Sequence, residues 1–119
     1  MVLGVLYLAH PATGAEARMA EHAVIIAFRY ESTSLDRLFE LEDFLQKAIS
    51  GSGVGKYDGN EIAADGSAAT LYMYGPDADR LFEVVVPILR ARSFMKGARV
   101  KRRYGSAKSG ANEITSTID

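Results

Sequence analysis

The sequence predicts an α+β sandwich, a four-stranded antiparallel sheet carrying two helices on one face. Three observations predict it. The pentapeptide Asp36-Arg37-Leu38-Phe39-Glu40 recurs letter for letter at Asp79-Arg80-Leu81-Phe82-Glu83. Each copy follows a strand-like run and opens a helix-like run, so the chain reads as two similar halves. Between the halves stands Asp65-Gly66, a hairpin signal. The resulting order is strand-helix-strand-strand-helix-strand. Two crossovers joined by a hairpin then give the ferredoxin-like sandwich, expected over residues 22–105.

Each element has a local reason. Ala23 to Tyr30 is β-branched and aromatic, and apolar on both alternating faces, as a central strand must be. Thr33 or Ser34 is placed to cap a helix over 34–50. Leu35, Leu38, Leu41, Leu45 and Ala48 form that helix's apolar stripe, and Gly51 and Gly53 end it. A weakly alternating second strand is expected over 54–63, interrupted at Asp58-Gly59-Asn60. The third, 68–74, alternates Ala69, Leu71 and Met73 against Thr70, Tyr72 and Tyr74. Asp77 should cap the second helix, 77–92, which Pro87 is expected to kink or loosen near its middle. Gly97 resets the chain for a fourth strand, 98–104, with Arg99, Lys101 and Arg103 on one face. The tail 106–119 holds Glu113-Ile114-Thr115-Ser116-Thr117-Ile118, a possible extra edge strand.

Composition bounds the chemistry. A chain of 119 residues with 48% hydrophobic content is one ordinary globular domain. It contains no cysteine, which excludes disulfides, thiolate nucleophiles and cysteine-ligated metals, and accords with a cytoplasmic protein. The net charge of −1 hides an asymmetry: residues 1–89 carry six basic and thirteen acidic side chains, residues 90–119 eight and two. Residues 1–21 read as a leader or an extra strand. Their apolar run, Val2 to Ala9, is shorter than the ~20 residues a membrane span needs. It also has no preceding basic region of the kind a signal peptide carries.

Motifs narrow the function little. Gly51-Ser52-Gly53-Val54-Gly55-Lys56 superficially resembles a phosphate loop, but Ser50 stands where its first glycine belongs and Tyr57 where Ser or Thr should follow the lysine. Asp58-Gly59-Asn60-Glu61 begins like a calcium loop, yet Ala69 occupies the position of the bidentate glutamate. A bulge explains Gly59 more simply. His10 and His22 are the only histidines, so no metal site and no cofactor are expected. Asp77 and Asp79 fit the positive end of a helix dipole better than catalysis. The richest polar constellation is Tyr57, Asp58, Asn60 and Glu61, with Tyr74 and Arg103 expected to complete a cleft at the sheet edge.

The runs Val54-Gly55-Lys56-Tyr57-Asp58-Gly59-Asn60-Glu61, Leu71-Tyr72-Met73-Tyr74-Gly75-Pro76-Asp77-Ala78-Asp79 and Val100-Lys101-Arg102-Arg103-Tyr104-Gly105 resemble those of small bacterial proteins with a ferredoxin-like domain and no assigned activity. The resemblance spans about residues 22–105 and implies no catalytic residue. The layout is more distantly similar to ACT-type domains, which bind amino acids at dimer interfaces. Their glycine-containing loop after the first strand is replaced here by Tyr30-Glu31-Ser32-Thr33.

The leading expectation is a non-enzymatic module that binds a small ligand or a protein and forms a homodimer through its open sheet. A small dimeric enzyme of the α/β-barrel kind is the alternative, and within it Arg103 with Glu61 is the one plausible titratable pair. An RNA-binding module comes third, suggested by Tyr72 and Tyr74 beside a basic strand.

Overall fold

The computed structural model describes residues 21–108 and 110–119. The leader or extra strand expected at 1–21 lies outside the described residues, apart from Glu21. The described chain is an α+β fold: five antiparallel strands and two α-helices, with a short 3₁₀ turn at Ser93–Met95. In chain order these are β1 (His22–Arg29), α1 (Asp36–Ser52), β2 (Lys56–Ile62), β3 (Ala68–Gly75), α2 (Ala78–Arg90), β4 (Arg99–Arg103) and β5 (Glu113–Thr117). The sheet runs β2-β3-β1-β4-β5, with β2 and β5 at its edges among the described residues. The expected four strands are therefore five, the tail supplying β5. Its anchor is Ile118, which is 3% exposed in the core and exchanges backbone bonds with Gly97 and Ala98.

The pleat divides this sheet into two unlike faces. Val24, Ile26 and Phe28 of β1 point into one core with Leu71, Met73 and Val100. Both helices close that core, α1 through Leu38, Leu41, Leu45 and Ile49, α2 through Ala78, Leu81, Val85 and Leu89. Spacings of three and four residues keep each set on one helical face. Ile25 and Ala27 project from the other side of β1. They are opposite Tyr72 and Thr70 of β3 and opposite Lys101 and Arg99 of β4.

Helix ends depart from expectation chiefly in α1, which runs two residues later at both ends. Asp77 caps α2 as its sequence suggests, its carboxylate accepting from the amides of Asp79 and Arg80. By contrast, α1 begins two residues later than expected and no side chain caps it. Ser32 already bonds the amide of Ser34, and the Ser34 carbonyl accepts the Tyr30 hydroxyl, so the local polar groups serve the preceding turn. Gly51 is helical, and Gly53 in the left-handed conformation ends α1. Pro87 does not interrupt α2, whose residues form one helix from Ala78 to Arg90. Among the described residues, no helix is long and apolar enough to cross a membrane.

Candidate ligand-binding face

The polar run on β2 is split by the pleat. Tyr57 is opposite Met73, and Asn60 is opposite Leu71, so both side chains lie on the helix side of the sheet. There the Tyr57 hydroxyl donates to Glu42 of α1, and the Asn60 amide donates to the same carboxylate oxygen at 2.8 Å. Glu61 is opposite Thr70 and lies on the side away from α1 and α2, helix-free among the described residues, where it accepts a bond from the Tyr72 hydroxyl. Between them the strand bulges at Tyr57/Gly59, with Asp58 the additional residue. The bulge accounts for the interruption seen in the sequence, and Gly59 takes a φ of 113° there.

The six proposed contacts therefore do not converge. Asp58, Asn60, Glu61 and Tyr74 border a shallow hollow together with Tyr72. Tyr57 is turned away toward Glu42. Arg103 lies on β4, separated from β2 by both β3 and β1. At about 4.8 Å per strand, that is roughly 14 Å across the sheet. Arg103 is buried, and its guanidinium donates to the carbonyls of Gly105 and Glu21. Arg103 and Glu61 therefore do not meet as an acid–base pair within one chain. Among the described residues, no group of three or more His, Asp or Glu could hold a metal ion.

Two clusters escaped the sequence reading. One is the Glu42 tie just described, which fastens α1 to the edge strand. The other is at the start of α2, where Asp79 accepts from Arg102 at 3.0 Å and from the Tyr104 hydroxyl at 2.6 Å. The Arg102 guanidinium lies 4.6 Å from the centre of the Phe82 ring, a cation–π contact. Next to it the His22 ring meets Tyr104 edge-on and accepts the Ala78 amide through Nδ1. Asp79 is thus occupied by packing and ion pairing. Arg102 and Tyr104, at and just past the end of β4, were visible, but Asp79 lies 23 positions before Arg102 and only the fold brings them together.

The helix-free face holds the stronger candidate. Ile25 and Ala27 form an apolar floor along the middle strand. Arg99 and Lys101 rise beside them from β4, and Thr115 from β5 completes a groove of about 300 Å³. A second groove adjoins it and shares Ala27 and Arg99. Lys101 faces Glu113 at 3.8 Å. Among the described residues, Arg99 enters no ion pair. No protein-family model matches this chain, and no curated protein or solved structure is significantly similar to it.

The phenols report these environments. Burial, and then the bond to Glu42, push the Tyr57 hydroxyl far above its ordinary value of 10.0. The bond to Glu61, helped by burial, pushes Tyr72 up to about 12. A folded-state value above the unfolded one means the bond stabilises fully below pH 10.0 and is lost as pH rises from there toward about 12. Ultraviolet titration of phenolate should therefore show Tyr72 ionising well after exposed tyrosines, and Tyr72→Phe should remove one tyrosine's amplitude from the late ionisation, to which Tyr57 and Tyr104 also contribute. A single titration of all tyrosines near pH 10.0 would refute the Tyr72–Glu61 bond.

Proposed function

We propose that this chain is a non-enzymatic binding module, at work in the cytoplasm, whose functional surface is the helix-free face of its sheet. We infer further that β1 to β4 with the two helices form a ferredoxin-like unit to which β5 is appended. The strand order β2-β3-β1-β4, antiparallel throughout, supports that inference. One observation carries the functional reading. The central strand turns an apolar floor, Ile25 and Ala27, away from the helices, between a tyrosine-bearing strand and a basic one. Apolar surface framed by polar side chains is characteristic of a contact site.

A second copy of the chain is the partner this face suits. A two-fold axis along β1 would set the partner's β3, with Tyr72, over Arg99 and Lys101, a cation–π arrangement. An axis across the strands would instead stack Arg99 and Lys101 on their own copies and repel. The first arrangement is therefore the expected one. Sedimentation at micromolar concentration should give a dimer, and Ile25→Asp should give a folded monomer. A wild-type monomer under those conditions would overturn the dimer.

A further inference from the structure

We propose that the groove between β1, β4 and β5 binds a small amphipathic monocarboxylate, an acid with an aryl or branched-alkyl body. The proposal takes the helix-free face as the working surface, as above, but does not depend on dimerisation, because floor and cations belong to one chain; in the dimer the carboxylate takes Arg99 in place of the partner's Tyr72, leaving that ring to Lys101.

Three features select this ligand class. First, the floor is apolar: Ile25 and Ala27 offer no hydrogen bond, so the body above them must be hydrocarbon. Second, among the described residues the charge of the groove is that of one unanswered cation. Arg99 and Lys101 are two residues apart on a strand, so their side chains rise from the same face about 7 Å apart. Glu113 already answers Lys101 at 3.8 Å, whereas Arg99 has no acidic partner among the described residues. One remaining positive charge matches a monoanion and would leave a phosphate dianion half-compensated. A guanidinium moreover presents two parallel donors, the geometry of a carboxylate. Third, the size is small. A groove of about 300 Å³ is at the lower end of ligand sites, which suits a single ring or a short branched chain. Thr115, opposite Lys101, adds one hydroxyl at the rim.

The test uses the full chain and three probes: phenylacetate, its neutral amide phenylacetamide, and inorganic phosphate. Amide resonances would be followed during titration. Phenylacetate should shift the amides of Ile25, Ala27, Arg99 and Thr115, and both other probes should bind at least about tenfold more weakly. Arg99→Gln, an exposed substitution that leaves the core intact, should weaken phenylacetate by about tenfold or more. Equal binding of the amide, or of phenylacetate to Arg99→Gln, would overturn the carboxylate site. So would the absence of any shift at about 10 mM phenylacetate. Sedimentation of the same samples separates the two claims. A dimer without phenylacetate binding sinks the site alone, whereas a monomer that binds it through Arg99 sinks only the dimer.

Discussion

Ile26→Ala should cost about 3–4 kcal/mol, whereas Ile25→Ala, one residue away, should cost under about 1 kcal/mol. Ile26 is wholly inaccessible and sits in the middle strand, opposite Leu71 on one side and Val100 on the other. Removing three carbons there leaves a cavity that two helices and three strands cannot close together. Within one chain Ile25 faces outward over the groove, so at concentrations where the chain is monomeric its truncation exposes little new surface. For a domain of this size the first change should lower Tm by roughly 12–20 °C. Against a total stability of about 5–15 kcal/mol, it approaches the limit of what the fold tolerates. Chemical denaturation of both variants checks the contrast. Similar losses at the two positions would mean that the helix-free face is packed as tightly as the core.

Gly75→Ala should destabilise by about 3 kcal/mol, although it adds one methyl group to a residue at the end of a strand. A Cβ at Gly75 would stand 2.2 Å from the carbonyl oxygen of Val54 and 3.2 Å from the Cα of Gly55. Both obstacles are backbone, so no rotamer change can relieve them. The contact is reciprocal, since a Cβ at Gly55 would stand 2.1 Å from the Tyr74 carbonyl oxygen. The two glycines let the connector after α1 lie directly on the end of β3, which aligns β2 with its neighbour. Urea unfolding should show a lower midpoint with an unchanged slope. A neutral outcome would show that the connector can lift away without loss.

The doubled pentapeptide was a reliable guide to architecture for a physical reason. Leu38 and Leu81 occupy equivalent turns of α1 and α2, and both are fully buried. The same word has different surroundings one letter later: Phe39 is 53% exposed, while Phe82 lies beneath the Arg102 guanidinium. Local sequence sets where a helix begins and which side is apolar. It does not say what lies across from it. The candidate site shows the same limit. Arg99 and Lys101 could be read as sharing a face from their spacing alone. The convergence of Ile25, Ala27 and Thr115 upon them depends on β1 and β5 flanking β4, a matter of topology. Tyr57, Asp58, Asn60 and Glu61 looked like one cluster because they are adjacent in the chain. The bulge and the pleat send Tyr57 and Asn60 to Glu42, and Glu61 to Tyr72.

That division gives β2 a property of interest for its evolution. Substitutions at Tyr57 or Asn60 are felt by α1, and substitutions at Glu61 by the helix-free face, with a sheet's thickness of backbone between them. Changes at Tyr57 and Glu61 should combine nearly additively, because their side chains share no partner. Lineages descended from such a chain could then alter what the open face recognises, one residue at a time, without renegotiating how the helix is held.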